Sequence, residues 1–327
     1  MKIAVVGPIG QDSFADNLIN TFGRMGHEVK ALGATRPPLP IRRVNSLVSL
    51  LSDGLRSIDG YRQRSMAETV TEFRPDLLLT IDRRLHPVVI DAAHSVGAKV
   101  ALWFPDATST MGNHDMFLAG YDRIYLKNPD LVRDLAGIQG LPVKHLPEAA
   151  NSSWHRSELP YGTVSEVVMA GNAHPTRAVL IDRLIGDGIP VRLYGAPTPG
   201  WVDFPRVHSA HTGRYLAGQE KADVFRSARA VLNNLHPAEA AGMNCRLFEA
   251  AAAGAAVVVE HRPGLDDLFD VDREVFGFSS YEELITTLRT LLDSPEAGRP
   301  VADAAAARAH RDHTYELRID SILADLF

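Results

Sequence analysis

The chain has 327 residues, too long for one small domain and suited to two domains of about 150–170 residues each. With 45% hydrophobic and 23% charged residues, it has the composition of a globular protein, which excludes the disordered and fibrous classes. The formal net charge of −6 argues against nucleic acid as a partner, and the single cysteine excludes an intrachain disulfide or a cysteine-based metal cluster.

The first residues, Met1–Gly7, predict a strand followed by acidic residues, whereas a signal peptide would continue as an apolar run. The longest apolar runs, such as Ala250–Val259, are far shorter than the ~20 residues that span a bilayer. We therefore expect a cytoplasmic protein.

In the first half, short apolar runs alternate with helix-length amphipathic segments. The predicted strands are Ile3–Val6, Glu28–Leu32, Asp76–Ile81, Lys99–Trp103, Arg123–Leu126 and Val143–Leu146. The helical segments between them include Ser13–Met25, Ala67–Phe73 and Pro87–Val96. Several of these strands are apolar on both faces, which is typical of a parallel sheet covered by helices on each side. The alternation predicts a doubly wound α/β sheet.

The stretch Pro147–Thr163 is rich in turn formers and interrupts this rhythm, which then restarts. The strands predicted after it are Glu166–Ala170, Pro190–Tyr194, Ala230–Leu235 and Ala256–Glu260. The predicted helices are Pro175–Gly186, Gln219–Ser227, Met243–Ala253, Tyr281–Asp293, Glu296–His310 and Thr314–Leu326. We predict two Rossmann-like, doubly wound domains, residues 1–155 and 156–327, that face each other across a cleft, with the last helix as a candidate to cross back to the first domain.

The most informative segment is Leu235–Ala250, where a strand ends, a turn of small residues follows and a helix opens near Gly242. A helix start presents unpaired N–H groups to a phosphate, and a glycine lets a ligand approach the backbone. Arg246 and Glu249 share one helix face, and they suit a phosphate and a pair of ribose hydroxyls. The alternative on spacing alone is an ion pair on a helix surface.

From Glu166 onward the chain resembles the spore maturation protein B-like (CgeB-like) glycosyltransferases of the GT-B group. The matching segments are Ala170–Asn172 with Arg177, Leu193–Gly195, Asn244–Ala255 and His313–Tyr315 with Arg318. The first half matches more weakly, at Trp103–Asp106, Tyr121–Tyr125 and Leu146–Asn151. The resemblance implies the GT-B fold and a glycosyltransferase whose C-terminal domain binds a nucleoside-diphosphate sugar.

Carried over to this sequence, the resemblance makes Glu249 the ligand of the ribose hydroxyls. It also predicts contacts of the donor with two strand-to-helix segments, formed by Gly171, Asn172 and Arg177 and by Gly242, Met243, Asn244 and Arg246. For Arg177 the alternative is a solvated helix arginine. His174, at the start of the same helix, is a candidate phosphate contact or simply a solvated residue.

Many retaining GT-B enzymes carry two glutamates eight positions apart, which would place the first at Ala241. Here the upstream acid is Glu239, ten positions before Glu249. The resemblance therefore leaves open whether the reaction retains or inverts the sugar configuration.

In the first half, the turn Gly7–Gln11 follows the first strand but lacks the glycine spacing of a dinucleotide site. Asp106 follows the Lys99–Trp103 strand, and a carboxylate there suits a base that takes the proton of an acceptor hydroxyl. It is the predicted catalytic residue, with Asp82 and His114 as lesser candidates. The alternative is that Asp106 caps a turn.

The segment Arg36–Arg64 combines an excess of arginine with apolar residues at near-helical spacing. A peripheral membrane contact or a binding element for an acidic acceptor is one interpretation; a helix packed on its own sheet is the favoured one. No cofactor and no metal are expected, since GT-B enzymes usually work without a bound cation.

The leading function is glycosyl transfer from a nucleoside-diphosphate sugar to an acceptor. The alternatives are a sugar-nucleotide epimerase or hydrolase of the same fold, or a non-catalytic subunit that binds a sugar nucleotide. The sequence does not specify the donor's base and sugar, the acceptor or the oligomeric state.

Overall fold

The computed structural model describes residues 1–36, 55–108, 115–172 and 174–327. The chain divides into two compact units. The N-terminal unit comprises Met1–Leu146 together with Arg318–Phe327, and the C-terminal unit comprises Pro147–Leu317. The predicted boundary lay at residues 155/156, nine residues further along the chain.

The N-terminal unit is built on one parallel sheet. Its strands are β1 (Lys2–Val6), β2 (Glu28–Gly33), β3 (Leu77–Thr80), β4 (Lys99–Phe104), β5 (Arg123–Leu126) and β6 (Val143–His145), in the order β2-β1-β3-β4-β5-β6. The described helices are α1 (Phe14–Arg24), α2 (Arg56–Arg62), α3 (Arg64–Phe73), α4 (Pro87–Ser95) and α5 (Pro129–Gly137), with a 3-10 turn at Asp115–Leu118. All four residues of β3 are buried, as expected for a central strand covered on both faces.

The C-terminal unit repeats this plan. Its strands are β7 (Val164–Ala170), β8 (Val191–Tyr194), β9 (Ala228–Asn233), β10 (Val257–Glu260) and β11 (Phe276–Phe278), in the order β11-β10-β9-β7-β8. The helices are α6 (Pro175–Gly186), α7 (Pro205–Ala210), α8 (Gly218–Ser227), α9 (Cys245–Ala252), α10 (Tyr281–Asp293) and α11 (Pro295–Asp312). Two apolar clusters cover the two faces of the sheet, one with α8 and α9 and the other with α6 and α10.

The last helix, α12 (Tyr315–Leu326), begins in the C-terminal unit, and its end groups with the N-terminal unit. There the Asp325 carboxylate accepts a hydrogen bond from the Tyr125 hydroxyl at 2.9 Å and pairs with Arg123 at 2.8 Å and with Lys144. Burial, together with Asp325, raises the pKa of the Tyr125 hydroxyl. These contacts tie the end of the chain to β5 and β6.

The prediction of two doubly wound parallel α/β sheets is confirmed. The predicted strands and helices recur with ends displaced by at most three residues, and the elements for which no bounds were predicted are β11, α2, α5 and α7. One displacement concerns the candidate site, because the first helical residue of α9 is Cys245 and its N-cap is Asn244. The prediction of a helix start near Gly242 was therefore wrong by about one turn.

Two predictions fall on residues outside the described ranges. His114 is one, and most of the arginine-rich segment, residues 37–54, is the other. At the start of that segment, Arg36 forms a largely buried ion pair with Asp59 at 2.8 Å. None of the helices in the described part of the chain is long and apolar enough to cross a membrane. The membrane contact and the cytoplasmic location stay predictions.

Candidate active site

The order of strands in the C-terminal sheet reverses between β7 and β9. The chain passes from β7 to β8 on one side and then crosses to β9 on the other side, so the connections diverge at the carboxyl ends of β7 and β9. In doubly wound sheets this divergence leaves a crevice in which ligands bind. Gly171 and Asn172 follow β7 here, and Asn234 follows β9.

The guanidinium of Arg246 packs on the bare backbone of Gly171. A Cβ at position 171 would lie 2.7 Å from Arg246 Nε and 2.9 Å from its Cζ, closer than side chains tolerate. Gly171 has a φ of +127°, a backbone conformation that favours glycine. Gly195, after β8, approaches the same residue, since its Cβ would lie 2.8 Å from the Gly171 carbonyl oxygen. The structure thus brings predicted residues from two separate segments together.

Arg177 spans the crevice. Its Nε donates to Asn234 Oδ1 at 2.8 Å, its Nη2 to the Asn234 carbonyl at 2.8 Å, and its Nη1 to the Asn172 carbonyl at 2.9 Å. Burial and the nearby charge of Arg246 lower the pKa of Arg177 to about 10, so the group stays cationic at neutral pH. Arg177 is largely buried rather than solvated, and it joins the loops that follow β7 and β9.

Glu249 lies one turn after Arg246 and pairs with a lysine that the sequence analysis did not single out. Its Oε2 is 2.9 Å from Nζ of Lys221 on α8, and both side chains are more than nine-tenths buried. The alternative of a surface ion pair therefore does not describe Glu249. Burial acts to lower the pKa of the Arg246 guanidinium, but neighbouring groups including Glu249 and Glu148 raise it above its ordinary value.

The turn before α9 carries the other predicted donor contacts. Gly242 and Met243 are buried and precede the helix, and the Met243 side chain packs in the apolar cluster beneath α9. Only the backbone of Met243 is thus left as a ligand contact. The side chain of Asn244, the N-cap, makes no capping bond, and its Oδ1 has no hydrogen-bond partner among the described residues.

His174 is the N-cap of α6. Its Nδ1 accepts a hydrogen bond from the Arg177 N–H at 3.3 Å and lies 2.9 Å from the Thr176 hydroxyl. The ring of His236, in the loop after β9, lies edge to face with it at a centroid distance of 5.0 Å. Burial, with Arg177 and His236, lowers the pKa of His174 to about 4. His174 is thus a half-buried, neutral cap rather than a solvated residue.

The candidate acids lie in different surroundings. Asp106 is exposed, two residues beyond the end of β4 in the N-terminal unit. Asp82 is engaged by its own unit, because its carboxylate accepts hydrogen bonds from Thr35 and from the Arg84 N–H at 3.0 Å. Glu239 is buried in the turn before α9. No observation assigns a catalytic role to any of them, so Asp106 as a base stays a prediction.

A cavity of about 480 Å³ opens beside Asn234, where β9, β10 and β11 end. Glu260 and Arg262 line it and pair with each other at 2.6 Å, and Glu260 also accepts the Leu235 N–H at 3.0 Å. Neither this cavity nor the buried Lys221 was predicted from the sequence. One signal was available for Lys221, since it precedes Phe225 by four residues and so lies on the apolar stripe of its helix.

Part of the chain is similar to a known family, and the fold is similar to that of several solved structures. Residues 177–324, a little under half of the chain, match the model of a family described as glycosyl transferase-like. No curated protein matches the sequence significantly. Similar solved structures include sucrose-phosphate synthase from Thermosynechococcus elongatus, at 13% identity and a TM-score of 0.67 over 100% of this chain and 99% of that one.

Two further similar structures cover most of both chains. HepE from Anabaena, solved with UDP-glucose, has 14% identity and a TM-score of 0.66 over 100% of each chain. A glycosyltransferase from Rickettsia africae has 10% identity and a TM-score of 0.65 over 99% of this chain and 97% of that one. Membership in the CgeB-like family stays a prediction. The chain has the fold of the GT-B glycosyltransferases, and its residues 177–324 are similar to the glycosyl transferase-like family.

Proposed function

We propose that this protein transfers a sugar from a nucleoside-diphosphate sugar to an acceptor hydroxyl. The observation that carries the proposal is the guanidinium of Arg246 on the bare backbone of Gly171, at the point where the C-terminal sheet reverses its strand order. A glycine surface lets a diphosphate approach the backbone, and a guanidinium matches its oxygens in geometry and charge. The similar HepE structures were solved with UDP, with UDP-glucose, and with UDP and glucose.

In this mechanism the bond between the sugar C1 and the diphosphate oxygen breaks, and a bond from C1 to the acceptor oxygen forms. The departing diphosphate gains negative charge as the C1–O bond stretches. Arg246 and the α9 N-terminus stabilise that charge, and the cationic Arg177 adds to the local positive potential. Two guanidinium groups supply the charge that a metal ion would otherwise provide, so we propose that transfer needs no metal.

Glu249 supplies the second contact, since its carboxylate suits the two ribose hydroxyls of the donor. On the acceptor side, Asp106 is the proposed base if the reaction inverts the sugar configuration, and it takes the proton of the attacking hydroxyl. In a retaining reaction Asp106 only orients the acceptor.

The test begins with calorimetric titration of uridine, guanosine, adenosine, cytidine and thymidine diphosphates, followed by the sugar derivatives of whichever binds. We expect one diphosphate to bind and its sugar derivative to be consumed, with glycosylated product formed only when an acceptor such as glucose is present. Turnover should persist in EDTA. An epimerase would instead change the sugar without acceptor, and a binding subunit would bind without turnover. Asp106→Asn should reduce transfer and leave donor affinity unchanged.

A further inference from the structure

The histidines at the reversal point of the C-terminal sheet carry an inference that rests on the proposed function and deepens it. Both rings accept a backbone hydrogen bond at Nδ1, His174 from the Arg177 N–H at 3.3 Å and His236 from the Ala238 N–H at 3.1 Å. In a neutral imidazole, a ring nitrogen that accepts leaves the proton on the other nitrogen. Both Nε2 atoms therefore carry hydrogen and act as donors.

The Nε2 of His174 is buried and has no hydrogen-bond partner among the described residues. A buried donor without an acceptor costs free energy, so its presence calls for an explanation. The ring of His236, 5.0 Å away between ring centroids, is exposed to solvent. The cationic side chain of Arg177 adjoins the pair, which favours an anion over a neutral acceptor.

We propose that His174, as a neutral imidazole, and His236 bind the diphosphate of the donor, each donating Nε2–H to a phosphoryl oxygen. The charged and titratable groups that face His174 are Arg177 from α6 and His236 from the loop after β9. Both act against protonation of the ring, as does its burial, so the donor role is available throughout the neutral pH range without a change of charge. This distinguishes His174 from a histidine that binds phosphate only as a cation.

Asparagine is the matched replacement at both positions. It is a favoured N-cap and forms the same local turns, so it replaces the backbone interaction of Nδ1 but has no counterpart of the Nε2–H. His86 provides the control, because it caps α4 in the N-terminal unit in the same way, accepting the Val88 N–H at 3.1 Å, and is likewise followed by a proline.

The experiment is calorimetric titration of the full chain with the nucleoside diphosphate that the wild type binds, and separately with inorganic pyrophosphate. We expect His174→Asn to weaken both ligands by about ten- to a hundred-fold, the loss typical of one hydrogen bond to a charged group. His236→Asn should weaken them less, because its donor is exposed to water. His86→Asn should bind like the wild type, and the parent nucleoside should not distinguish His174→Asn from the wild type.

The ratio of the pyrophosphate dissociation constants of His174→Asn and wild type should stay constant between pH 6 and 8, because His174 stays neutral there. Titration of pyrophosphate itself cancels in the ratio. A ratio that grows as pH falls would overturn the neutral-donor assignment. A pyrophosphate affinity of His174→Asn within two-fold of wild type would overturn the site itself. If pyrophosphate binding depends on His174 but no nucleoside diphosphate binds, the proposed function fails and the histidine site stands. If the wild type binds neither probe, both fail.

Discussion

The two sheets share one topology but differ in what packs at the point where each reverses its strand order. The N-terminal sheet reverses between β1 and β3 and the C-terminal sheet between β7 and β9, and a glycine follows the first strand in both, Gly7 and Gly171. A Cβ on Gly7 would meet Cγ1 of Ile81 at 2.3 Å, whereas one on Gly171 would meet Nε of Arg246 at 2.7 Å. One crevice is closed by an apolar side chain and the other is lined by a cation.

This difference shows which part of a shared fold determines its particular chemistry. A glycine at the end of the first strand permits close packing in either sheet and does not itself indicate a ligand. The residue that packs against the glycine determines whether the crevice suits a ligand, because an isoleucine completes a core and a guanidinium offers donors to an anion. Of the histidine caps His86 and His174, the second lies beside Arg177 and faces the ring of His236.

The largest effect should come from Lys221→Met. Glu249 and Lys221 are both buried, and removing one partner of a buried ion pair leaves the other charge without compensation. We expect the free energy of unfolding, measured by urea denaturation, to fall by about 3–5 kcal/mol. Arg192→Met is the control, because the Arg192–Glu166 pair is partly exposed and should contribute about 0–1 kcal/mol. A loss below 1 kcal/mol for Lys221→Met would contradict the buried pair.

Arg246→Ala comes next and addresses the crevice directly. The substitution removes two or more charge-assisted hydrogen bonds to the diphosphate, and we expect its dissociation constant in calorimetric titration to rise about 100-fold or more. Arg226 is a matched control, because it too packs on a glycine of the C-terminal unit, with Nη1 2.7 Å from the Gly254 carbonyl oxygen. Arg226→Ala should lower stability but leave the affinity as it is; equal losses of affinity would mean that the effect of Arg246 is structural.

Alanine substitutions at the two corresponding glycines test the two crevices separately. Gly171→Ala should displace the Arg246 guanidinium and strain the backbone at φ +127°. We therefore expect the dissociation constant of the diphosphate to rise about ten-fold. Gly7→Ala overpacks the core against Ile81, at about 1–3 kcal/mol of unfolding free energy, and should not change the affinity. If both variants lose affinity alike, the assignment of ligand binding to the C-terminal crevice is wrong.

The sequence predicted the alternation of strands and helices because apolar runs and amphipathic periods are local signals. It also selected Gly171, Arg177 and Arg246, which the structure brings to one crevice, although they lie up to 75 residues apart. Their convergence follows from parallel topology, since the carboxyl ends of neighbouring strands lie at one edge of a sheet. The ligand roles of these residues stay predictions.

The features that the sequence did not predict depend on tertiary partners. Nothing in the local pattern around Arg177 indicates that its donors bind Asn172 and Asn234, because one of those partners is 57 residues away. The pairing of Lys221 with Glu249 is likewise a contact between two helices. The start of α9 was misplaced because Gly242 and Met243 are compatible with a helical turn, and only the extended backbone of Asn244, with ψ 164°, shows that the helix begins after it.

The smallest expected effect concerns pH and the cap of α6. The pKa of His174 is lowered to about 4 in the folded state from an ordinary value of 6.5, so between these values the unfolded chain binds the proton more readily. Stability from this group is therefore fully present above pH 6.5, falls as pH drops towards 4 and levels off below. Urea denaturation at pH 7 and pH 4.5 should show a smaller loss for His174→Asn than for wild type, because asparagine does not titrate and the other groups are common to both. His86→Asn leaves His174 in place and should lose as much as the wild type does. An equal loss for all three proteins would mean that His174 is protonated in the fold, and its tautomer could then no longer be inferred from the cap.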